Sequence, residues 1–124
     1  MKAFDWSHYL TLARFLLNTS SLDKDSNYRN SISRSYYAAL NQSKLHAISH
    51  QWLKTIDQYN HDNIRTAFIN RGSLADVEMY LKRMSRKRNM SDYETELSAK
   101  FILEKEARMV YSEAEKVFEI LLKN

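Results

Sequence analysis

Two short segments of this chain combine arginine with aromatic side chains at spacings that suit recognition of a phosphate. In the first, residues 28–40, Arg34 lies close to Tyr36 and Tyr37. On a helix these tyrosines are about 100° apart, so one can enter the core while Tyr37 flanks Arg34. Such an arginine can grip a phosphate through its planar fork and stack on a base. Spacing alone favours a plainer alternative, in which Arg34 pairs with a carboxylate on a facing helix.

The second segment, residues 83–93, contains four cations within six positions, followed by Asn89. These cations are Arg83, Arg86, Lys87 and Arg88. Ser91 and Glu94 have the spacing of a capping box, so we expect the last helix to begin there and its free N–H groups to attract an anion. Phosphate binding is one interpretation of the segment. The other is a solvated surface whose cations complement the C-terminus of the preceding helix.

The remaining chemistry-bearing residues give weaker signals. His46 and His50 are four residues apart but lack the glutamate of an H-E-x-x-H pattern, so we expect no metal site there. His61 is expected to begin a helix as a cap or a packed residue. The chain has no cysteine and one glycine, which excludes thiolate sites, P-loops and dinucleotide fingerprints. We therefore expect neither a metal nor a cofactor.

The elements that must position these residues are helices. The chain has 124 residues, no proline and one glycine, whereas a sheet-rich domain needs turn residues about every 8–12 positions. We predict one all-α domain spanning residues 1–124, an up-and-down bundle of four to five helices with a long C-terminal helix. The predicted helices span about residues 5–17, 25–48, 62–70, 73–87 and 91–123.

Two local signals mark these predicted helices. Gly72 is placed to end the third helix, and Ser73 with Asp76 to cap its restart. The last helix, about 30 residues long and about 45 Å at 1.5 Å per residue, carries apolar side chains in a 4-3-4-3 pattern that suits antiparallel packing. The side chains of that pattern are Leu103, Ala107, Val110, Ala114, Val117 and Leu121.

Charge and hydropathy bound the location and the partners. The net charge is +4, which permits RNA or another polyanion as partner without demanding one. Apolar runs fall far short of the roughly 20 residues that span a bilayer, and the N-terminus lacks the apolar core of a signal peptide. We therefore expect a cytoplasmic protein with no membrane segment.

Together the two segments resemble the HEPN superfamily (higher eukaryotes and prokaryotes nucleotide-binding), in its small stand-alone prokaryotic form. Residues 34–39 match the R-x-Y-Y-A-A segment on the second helix of those proteins, and residues 88–93 match their R-x-x-[AS]-D-Y segment before the final helix. A histidine at the start of the third helix is also common in the group and matches His61. The order and spacing of the elements match from about Trp6 onward.

The resemblance implies a helical bundle that forms a homodimer and works with RNA or nucleotides in toxin–antitoxin, CRISPR-linked or phage-defence systems. Many members are metal-independent endoribonucleases, and others are non-catalytic partners of minimal nucleotidyltransferases. The predicted binding residues are Arg34, Tyr37, Arg83, Arg86, Lys87, Arg88 and Asn89. Related antitoxins act on a tyrosine near the position of Tyr93, which makes Tyr93 a candidate site for nucleotide modification by a partner transferase.

The ribonuclease members use R-x4-6-H, and no arginine of this chain is followed by a histidine at that distance. After Arg86 and Arg88 the expected positions hold residues 91–95, none of which is histidine. A ribonuclease activity would therefore need an altered site, with Arg88 at the scissile phosphate and Tyr93 or His61 transferring the proton. The remaining alternative is an interaction module in which the motifs only pack the bundle.

Overall fold

The computed structural model describes residues 4–21 and 23–124, so expectations for residues 1–3 and 22 lie outside the described residues. Within these ranges the chain forms helices and short helical turns, and no strand. The α-helices are α1 (Ser7–Asn18), α2 (Lys24–Ser49), α3 (His61–Thr66), α4 (Ala75–Tyr93) and α5 (Leu103–Lys123). Short 3₁₀ turns, Ile56–Gln58 and Gly72–Leu74, precede α3 and α4. The predictions of an all-α bundle and a long C-terminal helix are confirmed.

Helix α2 is the centre of the bundle, because each of the other four α-helices packs against it. Its first half lies against the second half of α1, where the Ser31 hydroxyl donates to the Ala13 carbonyl at 2.9 Å. At the same end of α1, Arg108 of α5 donates to the Leu17 carbonyl at 3.3 Å. Helices α1 and α2 are therefore antiparallel, as a short connection requires, and the first half of α5 lies at the end of α1 where α2 begins.

The apolar pattern along α5 forms its buried face. The four inner positions of the pattern are fully buried, Leu121 is nearly so, and Leu103 is half-buried against the same cluster. Facing them from α4 are Val77, Leu81 and Met84, which are also buried. Burial of each larger apolar side chain stabilises the fold by about 1.5–3 kcal/mol, so this seam holds the C-terminal helix in place.

The boundary predicted at Ser91 is wrong. Helix α4 continues through Ser91 to Tyr93, and α5 begins at Leu103 with 21 residues rather than about thirty. Ser91 is 2% exposed, inside the last turn of α4, so it does not cap a helix start. Arg29 of α2 ends this turn, because its Nη1 donates to the carbonyls of Ser91 at 2.7 Å and Glu94 at 2.9 Å. The cations of residues 83–88 consequently lie within a helix, and the expected N-terminal anion site is not formed there.

Two smaller corrections concern the middle of the chain. Helix α3 ends at Thr66, and α4 begins after Leu74 with no side-chain cap. Ser73 does not cap it, because its hydroxyl donates to the Asn124 amide oxygen at 3.0 Å. Gly72 does have the left-handed backbone expected of a helix-terminating glycine, with φ of 61°. The eight residues between α3 and α4 thus form turns and a short 3₁₀ helix rather than a capped restart.

Candidate functional site

Arg88 of α4 lies at the centre of a group of aromatic side chains drawn from both sequence motifs. Its guanidinium carbon is 5.4 Å from the ring centre of Tyr36, 5.5 Å from that of Tyr37 and 5.9 Å from that of Tyr93. At these distances each ring face attracts the cation. We call Arg88, Tyr36, Tyr37, His61 and Tyr93 the Arg88 cluster.

The guanidinium of Arg88 is buried with incomplete hydrogen bonding. Its side chain is 10% exposed, and its Nε has no hydrogen-bond partner among the described residues. The carboxylate paired with it belongs to Asp92, whose Oδ2 lies 3.6 Å from Nη1, longer than a hydrogen bond. A buried guanidinium in this state lacks the hydrogen-bond acceptors that water supplies to an exposed one. An anion that binds here would accept hydrogen bonds from the unused N–H groups of Arg88, and these charged hydrogen bonds would favour its binding.

His61 begins α3, beside the same aromatic rings. Its Nδ1 lies 3.0 Å from the Tyr36 hydroxyl, and its ring centre is 6.0 Å from that of Tyr37. Partial desolvation of the ring and then the positive charge of Arg88 lower the pKa of His61, while Asp62 acts in the opposite direction. His61 is therefore neutral at pH 7 and, being exposed, is accessible as a base.

The consecutive tyrosines of α2 separate as their helical spacing predicts. Tyr36 is 2% exposed and belongs to the core, whereas Tyr37 is half-buried and flanks Arg34. Burial raises the pKa of Tyr36, so its hydroxyl stays protonated. A protonated hydroxyl can donate or accept in the hydrogen bond with His61. Tyr93, at the end of α4, is 74% exposed and forms the outer wall of the Arg88 cluster.

Arg34 lies outside the Arg88 cluster, on the α1 side of Tyr37. Its guanidinium carbon is 5.1 Å from the ring centre of Tyr9, and no ion pair to it occurs in ranges 4–21 and 23–124. The expected alternative, a salt bridge across helices, is therefore not what the described residues form. A cavity of about 250 Å³ opens here. We call it the Arg34 pocket, and its lining is Trp6, Tyr9, Arg34, Tyr37 and Asn41.

The other cations of α4 are placed differently. Arg83 and Lys87 face α5, where Arg83 Nη2 is 3.0 Å from Glu113 and Lys87 Nζ is 2.8 Å from Glu106. Lys87 Nζ also lies 3.8 Å from Glu113, which is itself buried. These ion pairs hold α4 against α5, and they place Arg83 and Lys87 outside the Arg88 cluster. Arg86 and Asn89 are exposed.

The structure thus brings together four of the predicted site residues: Arg88, Tyr37, His61 and Tyr93. Sequence reasoning missed Asp92 as the ion-pair partner of Arg88, although its spacing of four on one helix was a usable signal. It also missed Arg29, whose two acceptors are 62 and 65 positions away and leave no local pattern. Trp6 and Tyr9 were not among the predicted site residues.

His46 and His50 belong to a separate aromatic stack. Their ring centres are 4.5 Å apart, and Trp52 stacks on His50 at 4.9 Å. Arg71 closes the stack, with its guanidinium carbon 3.8 Å from the Trp52 ring centre. In the part of the chain that the structure describes, no three histidine or acidic side chains are grouped as metal ligands.

Comparison of the chain with protein-family models, with curated proteins and with solved structures found no match. Within the described residues, no helix has both the length and the apolar character needed to cross a bilayer. The features of this chain that bear on function are the two motifs and the geometry of the side chains around Arg88.

Proposed function

We propose that this chain is a HEPN-type protein that binds RNA or nucleotides through the Arg88 cluster. The observation that carries the proposal is the buried, incompletely hydrogen-bonded guanidinium of Arg88, enclosed by three tyrosines that both motifs supply. A guanidinium fork matches two phosphate oxygens, and neighbouring rings give a base or ribose a surface to pack on. The net charge of +4 favours approach of a polyanion.

Asp92 determines how an anion would reach this site. Its carboxylate lies near Arg88 without a direct hydrogen bond, and both residues are on the last two turns of α4. A phosphate entering beside Tyr93 meets the charge of this carboxylate as well as that of Arg88. Removal of the Asp92 charge should therefore strengthen phosphate binding, whereas removal of the Arg88 charge should weaken it.

The test is fluorescence anisotropy with a labelled single-stranded RNA of mixed sequence, at fixed salt. Arg88→Gln should weaken binding roughly 10- to 100-fold, the equivalent of a charged hydrogen bond of about 1.5–3 kcal/mol, and Asp92→Asn should strengthen it. Lys105→Gln, which removes one exposed charge of α5, is the matched control and should change affinity only slightly. Equal affinity for Arg88→Gln and Lys105→Gln, with circular dichroism unchanged, would reject the binding role.

A second candidate, a metal-independent endoribonuclease, is favoured by one observation. His61 is exposed, neutral at pH 7 and close enough to Arg88 for that charge to lower its pKa. In the tautomer whose Nδ1–H donates to the Tyr36 oxygen, Nε2 of His61 is the free base. In this mechanism the 2′-oxygen bonds to phosphorus, and His61 takes its proton. Arg88 stabilises the added negative charge, the P–O5′ bond breaks, and Tyr93 gives a proton to the leaving oxygen. The His61 imidazolium then releases its proton to water, and the Tyr93 phenolate takes one up from solvent, which restores both groups.

Incubation of the purified protein with RNA in EDTA tests this candidate. Cleavage that is lost in both His61→Gln and Arg88→Gln, and retained in His50→Gln, would support it. Product ends provide a second criterion, because the mechanism leaves a 2′,3′-cyclic phosphate. RNA that stays intact under these conditions would exclude the activity and leave the binding role standing.

The biological setting proposed here is a cytoplasmic toxin–antitoxin or phage-defence module, with the protein as a homodimer. Exposed apolar side chains on α1, Leu12 and Phe15, support the presence of a partner surface. Light scattering gives the oligomeric state directly. If the partner is a minimal nucleotidyltransferase, the exposed phenol of Tyr93 is the proposed modification site, and mass spectrometry after co-expression with the neighbouring gene tests it.

A further inference from the structure

The Arg34 pocket adjoins the Arg88 cluster through a shared side chain. Tyr37 lines the pocket and also contacts Arg88, whose guanidinium carbon is 5.5 Å from its ring centre. The pocket volume of about 250 Å³ is below the roughly 300–1,000 Å³ of sites for drug-sized ligands. It therefore suits a single planar ring system and leaves the rest of a larger ligand outside.

The lining of this pocket suits a planar, polar-edged ring. Trp6 and Tyr9 meet edge to face, with ring centres 5.1 Å apart, and Arg34 places its guanidinium over Tyr9. The Asn41 amide nitrogen donates to the Tyr37 carbonyl at 2.8 Å, which fixes the side chain and leaves its oxygen as an acceptor. Aromatic and guanidinium planes with one fixed amide are the groups that stack on a nucleobase and contact its edge.

We propose that the Arg34 pocket binds a nucleobase whose phosphate lies on Arg88, with Tyr37 between the two. This inference rests on the proposed function, because it assigns the phosphate to the Arg88 cluster. It adds the class of ligand, which is a nucleotide unit with an unpaired base rather than a duplex or a bare phosphate. A base that is paired and stacked within a duplex cannot enter the pocket, so double-stranded RNA should compete poorly with a single-stranded ligand for this site.

Titration calorimetry with adenosine 5′-monophosphate, ribose 5-phosphate and adenosine tests the assignment. The monophosphate should bind at least about fivefold more tightly than ribose 5-phosphate, because stacking of one base contributes a factor of roughly 5 to 150. Tyr9→Leu should remove this difference without changing the affinity for ribose 5-phosphate, and Tyr9→Phe should keep it. Tyr80→Leu is the matched control, since Arg83 lies over Tyr80 at 5.3 Å on another face of the bundle.

The outcomes separate the two proposals. Ribose 5-phosphate that binds through Arg88 as tightly as adenosine 5′-monophosphate would overturn the base pocket and leave the proposed function intact. Ribose 5-phosphate binding that is unchanged in Arg88→Gln would overturn the proposed function, whereas loss of adenosine binding in Tyr9→Leu would still support the pocket. Equal losses of monophosphate affinity in Tyr9→Leu and Tyr80→Leu would overturn the pocket.

A second measurement covers the case in which Tyr9→Leu fails to fold. In a Trp52→Phe variant, Trp6 is the remaining tryptophan, and a base in the pocket should quench its fluorescence while ribose 5-phosphate should not. A five-nucleotide adenylate RNA distinguishes the source of the ligand. If this RNA binds more tightly than adenosine 5′-monophosphate, the ligand is an RNA strand, and if the two bind equally, the ligand is a free nucleotide. If neither the RNA nor the monophosphate quenches Trp6 fluorescence, the pocket is overturned.

Discussion

Arg29→Met should loosen the end of α4 and destabilise the whole bundle. Arg29 is half-buried on α2, and its Nη1 bridges the carbonyls of Ser91 and Glu94 at 2.7 and 2.9 Å. The carbonyls in the last turn of a helix have no partner within that helix. Methionine keeps the packing of the alkyl stem and removes only the donor, so the substitution isolates the cap.

The magnitude follows from the exposure of the two acceptors. A hydrogen bond from a charged donor contributes about 1.5–3 kcal/mol. Water can replace the bond to Glu94, which is exposed, but not readily the bond to Ser91, which is buried. We therefore count one bond and expect the free energy of unfolding to fall by about 2 kcal/mol, which corresponds to a Tm lower by roughly 6–10 °C for a chain of this size.

Urea unfolding followed by tryptophan fluorescence measures this free energy, and amide hydrogen exchange locates the effect. Protection of the Tyr93 and Glu94 amides should fall more than that of the core amides of α5. Lys82→Met, which removes an exposed charge from α4, is the control and should change stability by less than about 0.5 kcal/mol. An Arg29→Met variant as stable as Lys82→Met would refute the cap as the reason that α4 ends where it does.

Three further predictions concern other parts of the bundle. Lys87→Met should lower the free energy of unfolding by about 3 kcal/mol, because it leaves two largely buried carboxylates of α5 with one partner fewer; Lys105→Met is its exposed control, and an equal effect would contradict the pairing. Because folding lowers the pKa of His61, the imidazole is protonated at a higher pH in the unfolded chain than in the folded one. The free energy of unfolding should therefore be highest above about pH 6.5 and should decrease as the pH falls below that value. Denaturant titrations at pH 7.5 and 5.5 should show this loss, and it should be smaller in His61→Gln. Gly72→Ala should cost about 1–2 kcal/mol in the same assay from backbone strain alone, since φ is 61° and nothing lies within 4 Å of the added Cβ; a cost near zero would contradict this.

Helix content and the face of α5 were predictable because they depend on local periodicity. The 4-3-4-3 pattern ending at Leu121 marks a buried stripe whatever its neighbours are. The spacing of Tyr36 and Tyr37 likewise fixed which ring could enter the core and which could flank Arg34. Such signals need no knowledge of the partner element.

The end of α4 was not predictable, because long-range contacts decide it. Ser91 and Glu94 have the spacing of a capping box. That spacing marks the start of a helix only when the serine lies outside the preceding helix. Here the serine is buried, and its carbonyl accepts a hydrogen bond from Arg29 of α2, which lies 62 positions earlier in the chain. The pairing of His61 with Tyr36 across 25 positions has the same origin. The resemblance pointed to His61 but not to its contact with Tyr36, and no local pattern pointed to Arg29.

The central place of α2 has a consequence for the chain during synthesis. The α1–α2 hairpin is local in sequence, so it can form as soon as Ser49 has left the ribosome. The Arg88 cluster draws on α2, α3 and the last turns of α4, so its walls are complete only after Tyr93 emerges. A nascent chain therefore presents Tyr37 to solvent well before Arg88 joins it, and the proposed RNA or nucleotide binding begins only when translation has passed α4.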